Sequence, residues 1–331
     1  MMRRVGIALL IVTALVAVAA PFFAPNPPDL VFRDLQFAPP TRVHVVDPAG
    51  NWVAPFTYPH RLVSRLERRY EEDRSRPQPI RWFHNGRLAT VTYDGAPLMW
   101  LGADSSGRDI FARLVYGART SLLLAAAATI AALLIGLIVG GLAGYAGGLV
   151  DDALSQVSDF VLVLPPIYLV LALRAVMPLV MADSTVFLLM ASIFALVGWP
   201  FVAKGVRAIL VSERGREYAD AARALGAGHL RILFLHLLPA TTGYLLVQAT
   251  LLLPGFILAE ATMSYVGMGF SDRTPSWGSM LLDATNVAVL ADVPWALSPA
   301  AAIFVVVLAV NLIVQSPLPL DRGSASATIR R

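Results

Sequence analysis

The search for chemistry in this chain begins with residue types it largely lacks. It has no cysteine, so neither a disulfide framework nor a thiolate metal site can form. Its five histidines, His44, His60, His84, His229 and His236, include no H-E-x-x-H pair. No G-x-S-x-G nucleophile turn occurs. The single lysine, Lys204, sits in Val202-Ala203-Lys204-Gly205, which is not the G-x-x-x-x-G-K-[ST] loop that cradles phosphate. The chain is therefore expected to hydrolyse neither ATP nor any metal-activated substrate, and to hold no catalytic, cofactor or metal site of its own. His229 and His236 are too few and too isolated for a metal and read as structural. What remains are acids in apolar surroundings. Glu260 lies in Ile257-Leu258-Ala259-Glu260-Ala261, and Asp159 precedes Phe160-Val161-Leu162. A charge at the centre of a span costs about 2.5–3.5 kcal/mol, so Glu260 must face the bundle interior, a water-filled path or a partner. Two readings stand for it, a translocation-path residue or an interhelix hydrogen bond. Asp159 stands either on the same path or as the cap of the span it opens. Gln248 and Asn311 read as interhelix hydrogen-bonding groups.

Composition dictates what surrounds these groups. Of 331 residues, 57% are hydrophobic and 15% charged, against about 25% charged in a soluble domain, and mean hydropathy is +0.66. Such a chain needs lipid as its solvent. A soluble enzyme, a disordered protein and a nucleic-acid binder are excluded, the last because the basic residues behind the net charge of +4 form no groove-reading helix. A spanning helix needs roughly 20 apolar residues. Six runs qualify: Val5–Ala24, Ser121–Ala143, Phe160–Val180, Thr185–Ala203, Tyr244–Val266 and Ala296–Gln315. They are too long and continuous for barrel strands. The expected fold is all-α with six transmembrane helices. The first run also resembles a signal peptide with Ala17-Val18-Ala19 as the cleavage site. Proline at Pro21 and the continuing apolar run favour an uncleaved anchor. Gly136, Gly140, Gly144 and Gly148 form a small-xxx-small stripe for close helix packing. Pro254-Gly255 and Trp199-Pro200, the latter at the end of the fourth span, signal kinks.

With the N-terminus inside, the inside segments carry 11 Lys and Arg and the short outside loops two, Arg174 and Arg273. The other 13 lie between Arg33 and Arg119, mostly in a long segment that translocates regardless of charge. Both termini are thus expected in the cytoplasm. The chain divides into an N-terminal transmembrane helix (1–25), an extracytoplasmic insertion of mixed α/β character (26–104), a transmembrane core (105–317) and a cytoplasmic tail (318–331). Within the insertion, Leu62, Leu66 and Tyr70 at i, i+4, i+8 predict a surface helix over Arg61–Arg76. Asn85-Gly86 between Ile80–His84 and Arg87–Tyr93 predicts a hairpin.

The largest inside loop is 204–240. Glu217 to Leu225 predicts a helix, with acids at its start and Arg223 at its end to suit the dipole. Gly226 and Gly228 follow, and a glycine just past a helix end allows the left-handed cap. A second helix over Leu230–Leu238 is expected to break at Pro239. Ala221, Ala222 and Gly226 leave a flat face on which another protein can close.

This loop resembles that of the permeases of binding-protein-dependent ABC importers, in the dipeptide/oligopeptide/nickel branch. The family's E-A-A, three residues, Gly, nine residues, I-x-L-P reads here Asp220-Ala221-Ala222, Gly226, His236-Leu237-Leu238-Pro239. Leu101-Gly102-Ala103-Asp104 with Gly107-Arg108-Asp109, Tyr116–Leu122, Leu142-Ala143-Gly144-Tyr145 with Gly147-Gly148, and Pro275-Ser276-Trp277-Gly278 match in order. Asp220 replaces Glu, Ala103 replaces Thr, and the usual last turn is replaced around Gln315–Arg322. The resemblance implies a type I ABC importer permease fold in the bacterial inner (plasma) membrane. It implies a coupling role for Glu217, Asp220, Ala221, Ala222, Arg223, Gly226 and Pro239. The implied partners are a homologous second permease, two ATPase subunits that carry ATP and Mg, an extracytoplasmic solute-binding protein and the lipid bilayer. The implied cargo is a di- or oligopeptide or a related small solute. Readings from other classes are an ion-coupled secondary transporter acting alone and a non-transporting membrane sensor.

Overall fold

The computed structural model describes residues 2–65, 67–91, 96–165, 168, 172, 181–285 and 287–314. Among the described residues, four helical stretches are long and apolar enough to cross a membrane: Ile110–Ala146, Asp183–Glu213, His229–Tyr265 and Pro294–Val314. A fifth apolar helix, α1 (Met2–Val18), is continued after one residue by α2 (Ala20–Phe23). The third expected span, Phe160–Val180, lies outside the described residues apart from its first few positions and two isolated ones.

The central element is α3 (Ile110–Ala146), a 37-residue helix about 55 Å long at ~1.5 Å per residue. It starts where it does because the Asp109 carboxylate caps it, accepting from the backbone N–H of Phe111 at 2.9 Å and Ala112 at 3.2 Å. It ends at Gly147, whose φ of +68° turns the chain into α4 (Gly148–Val163). Along its length α3 packs on α5 (Asp183–Glu213). A Cβ on Gly136, Gly140 or Gly144 would run into Val202, the Ala203 carbonyl or the side chain of Leu210. Those three glycines therefore let two backbones touch. Gly148 is not part of the stripe; it has positive φ and nothing near it.

Pro200 was expected at a helix end, yet α5 runs on through it to Glu213. An interior proline costs about 3 kcal/mol. Val202, Val206 and Leu210, all fully buried beyond it, offset that cost by packing into one core cluster.

The segment before α3 folds into three small antiparallel sheets. Strands β1 (Val43–Val46), β2 (Trp52–Thr57) and β5 (Gln78–Pro79) form one, in the order β1-β2-β5. Strands β3 (His60–Ser64) and β4 (Arg69–Glu72) form another, and β6 (Arg81–His84) with β7 (Arg87–Thr90) the third. The β6–β7 hairpin is as expected: Asn85 and Gly86 take φ of +52° and +72°, as its two-residue turn requires.

The helix expected over Arg61–Arg76 is not there; β3 and β4 occupy that stretch. Electrostatics explain the difference. A helix would place Arg61, Arg65 and Arg69 one turn apart on one face, where like charges repel. The hairpin instead sets Arg61 opposite Glu71 and Leu62 opposite Tyr70. The Tyr70 hydroxyl then donates to the Gln36 carbonyl at 2.5 Å. Leu66, the middle residue of the expected stripe, lies outside the described residues.

Candidate functional site

At the C-terminal end of α3, α6 (Glu217–Ala224) forms where the loop was expected to be helical. Glu217 and Asp220 lie in its first turn and Arg223 in its last. Arg223 donates to Asp220 Oδ1 at 2.7 Å and to the Arg214 carbonyl at 3.1 Å. Gly226, at φ +79°, closes the helix, and the next N–H, of Ala227, donates to the Ala222 carbonyl at 3.0 Å. Two alanines one turn apart seat this helix: Ala219 is fully buried in a cluster with Val206, Leu210, Ile232, Leu233 and Leu237, and the partly buried Ala222 packs against it. The opposite side is open. Glu217, Asp220, Ala221 and Arg223 are exposed, and Leu225 just past the helix is 88% exposed. Ala222 is half-buried.

Arg214 ties this loop to α3 by donating to the carbonyls of Gly144 at 3.1 Å and Tyr145 at 3.4 Å. The Tyr145 hydroxyl and His229 Nδ1 share a hydrogen bond of 2.7 Å. The second loop helix is not a separate element broken at Pro239. It is α-helical over His229–Arg231, π-helical over Ile232–Leu237 and 3-10 over Leu238–Thr241, and leads straight into α7 (Thr242–Tyr265). Pro239 falls within the first two residues of the 3-10 turn, at the junction where the helical bonding pattern changes. Its ring is exposed.

Glu260 is fully buried on α7. Ser121 Oγ of α3 donates to its Oε2 at 2.9 Å, and Ser264 Oγ donates to its Oε1 at 2.7 Å. Ser121 Oγ in turn accepts the Trp277 N–H at 3.1 Å, at the start of α8 (Trp277–Met280). Gly278 lets that short helix approach Glu260 closely. The carboxylate thus joins α7, α3 and α8.

Asp159 does not cap a span. It lies inside α4, four residues before the end of that helix, and pairs with Lys204 of α5. One helical turn further along α5, Arg207 pairs with Asp151. Helix α4 begins at Gly148, too early for Asp159 to be its cap. The Asn311 side chain donates to the Val307 carbonyl of its own helix, α9 (Ser298–Val314), rather than to a neighbour.

At the N-terminal end of α3 the structure adds a charged cluster, only part of which the sequence motifs contained. Arg108 donates through Nε to Asp104 at 2.8 Å and through both terminal nitrogens to Asp272 at 2.8 and 2.9 Å. Arg113, 2% exposed, donates to the Asp272 carbonyl at 3.2 Å and lies 3.5 Å from the Asp104 carboxylate. A cavity of about 110 Å³ opens beside them, with Asp283 and Ser279 also on its wall. Burial acts to raise the Asp272 carboxyl, but the Arg108 hydrogen bonds and charge outweigh it and hold it below the ordinary value. Arg113 and Asp272 went unnoticed in the sequence because they are 159 residues apart. The available signal was an arginine four residues inside a long apolar helix.

Residues 132–316 match the family of binding-protein-dependent transport system inner membrane components. That segment holds the glycine stripe, Asp159, all of α6 and Glu260. A putative peptide permease protein of Brucella ovis is 37% identical over 215 residues, covering 65% of this chain and 69% of its own. The oligopeptide transport system permease protein OppC of Bacillus subtilis is 35% identical over 65% of this chain and 68% of its own. The dipeptide transport system permease protein DppC of Alkalihalophilus pseudofirmus is 36% identical over the same shares.

The chain belongs to this family of permeases. It is a multi-pass membrane protein, the translocation subunit of an ABC importer, and not an enzyme; the ATPase is a separate subunit. Membership leaves no place for the secondary-transporter or sensor readings. The family match of the permease begins within α3, downstream of the sheets.

Proposed function

We propose that this permease pairs with a homologous one to form the path for di- or oligopeptides across a bacterial inner membrane, with both termini in the cytoplasm. Support for the cargo comes from relatives named for peptide, oligopeptide and dipeptide transport. Two ATPase subunits, which bind the ATP and Mg, receive α6, and an extracytoplasmic binding protein delivers the solute. The boundaries at 25, 104 and 317 separate anchor, insertion, core and tail. Glu217, Asp220, Ala221, Ala222, Arg223, Gly226 and Pro239 form the coupling contact.

The observation that carries this reading is the two-sidedness of α6. Its inner side is seated through Ala219 on α5 and the lead-in to α7, and its outer side is open. A push on the outer side is therefore delivered to two spanning helices. Glu260 acts from within the bundle and Asp159 from its exposed surface, neither as a bare charge on the path. Each holds helices in register, through hydroxyls and through Lys204 respectively.

Gly226→Leu tests the coupling role. A leucine at φ +79° is strained by about 1–2 kcal/mol, which displaces the end of α6. Membrane insertion is expected to persist while peptide uptake in cells is lost and ATP hydrolysis by the purified complex no longer responds to peptide-loaded binding protein. Undiminished uptake would remove α6 from the coupling role. Competition of labelled dipeptide uptake by peptides, and its absence with nickel chelates, tests the cargo.

A further inference from the structure

The sheet-bearing segment carries one hairpin whose first strand, β6, is exposed along its whole length. All four residues of β6, Arg81, Trp82, Phe83 and His84, are exposed; Trp82 is 48% and Phe83 73% exposed. Two large aromatics side by side in water are unfavourable, at about 25 cal/mol per Å² of apolar surface. The position of the hairpin says what covers them. Three contacts fasten it to the end of the first helix. The Phe22 and Phe83 ring centroids lie 6.2 Å apart. Arg87 of β7 donates to the Pro25 carbonyl. Asn26 donates to the Leu98 carbonyl at 2.7 Å, and Leu98 packs with Ile80 and Ala89 at the base of the hairpin.

The level of that attachment follows from length. From Met2 to Phe23 the chain is helical but for Ala19. That is a rise of about 33 Å at ~1.5 Å per residue, against about 30 Å of hydrocarbon. With Arg3 and Arg4 at one boundary, Phe22 and Phe23 stand at the other. Phe83 is held beside Phe22 at that same boundary. Ile11, Val12, Leu15 and Val18 of α1 are exposed apolar residues. Arg81 and His84 flank the two aromatics, and both are exposed. Aromatic rings with basic neighbours suit the layer where acyl chains meet lipid phosphates.

We propose that the β6–β7 hairpin is an interfacial anchor, with Phe83 and Trp82 inserted among the lipid headgroups where the first span leaves the membrane. Its function is to fix the height and tilt of the sheet segment above the bilayer. The inference needs only that the chain spans a membrane, and is independent of the cargo.

The test places the photoreactive residue p-benzoylphenylalanine at position 83, in the full chain expressed in cells, and irradiates native membranes. Position 15 on α1 serves as the lipid-facing reference. Position 52, an 82% exposed tryptophan in the β1-β2-β5 sheet, serves as the solvent reference. The expected result is a peptide carrying the mass of one phospholipid at position 83, at a yield close to that of position 15 and well above that of position 52. Crosslinking of position 83 to another protein, or a lipid yield no higher than at position 52, would overturn the proposal. If the variant at 83 does not accumulate, position 82 on the same strand is read against the same two outcomes.

Discussion

The two ends of α3 are built on opposite principles. At its N-terminal end, two arginines are buried among Asp104 and Asp272, and every strong contact is made within the chain. At its C-terminal end, α6 is seated only by two alanines, Ala219 and Ala222, with its charges spread over an exposed face. The first end holds itself together. The second leaves its surface to be completed by something else. A region that satisfies its own charges defines shape, and one that leaves them open invites a partner.

The comparison can be broken by substitution. Arg108→Ala is expected to have the largest effect. It leaves the buried Asp104 carboxylate short of its main partner, a change that typically costs about 3–5 kcal/mol. Purified chain is expected to lose thermal stability or fail to accumulate. A melting curve like that of the parent would mean that the cluster contributes nothing to shape. Glu260 lies between the two ends. Glu260→Leu removes both serine hydroxyl contacts, and each orphaned group costs about 1–3 kcal/mol. Glu260→Gln keeps an acceptor for one serine and a donor for the other, so its melting temperature should stay near the parent value. Loss of peptide uptake by Glu260→Gln with normal complex yield would show that the charge itself is used.

A gentler probe is acid. Asp272 has its carboxyl held below the ordinary value, so the stability it supplies is present above the unfolded-state value of about 3.8. It is lost as pH falls through the lower folded-state value. Melting temperature followed from pH 6 downward, roughly across that window, should drop more steeply in the parent than in Asp272→Asn. Equal slopes would place the acid sensitivity elsewhere. The smallest effect belongs to the open end. Arg223→Ala removes a surface pair with Asp220, worth about 0–1 kcal/mol, so thermal stability should hardly change while uptake falls. Unchanged uptake would make Arg223 a bystander on that face.

The open end was also the more legible one. Helix α6, its dipole-matched charges and the Gly226 cap are local features, set within ten residues and read directly. The spanning helices were legible for the same reason, since lipid demands long apolar runs. What the sequence hid was pairing at a distance. Arg113 and Asp272 look like two isolated charges until the fold joins them. Likewise Leu62, Leu66 and Tyr70 fit a helical stripe, and only the placement of Arg61 against Glu71 shows why a hairpin wins. Asp159 looked like a cap because its partner, Lys204, is 45 residues away on another helix. Local order is written in neighbours, whereas ion pairs between elements require the topology first.

The bare strip on α3, where Gly136, Gly140 and Gly144 bring it against α5, has a mechanical consequence. With no side chains between them to flex, the two backbones cannot roll independently and must move as one beam. That beam is fixed by Arg214 near α6 and by Arg108 and Arg113 at the far side of the membrane. A tilt of about 5° would carry the far end of a ~55 Å beam by roughly 5 Å. A small displacement beneath the membrane would thus arrive above it undamped and enlarged.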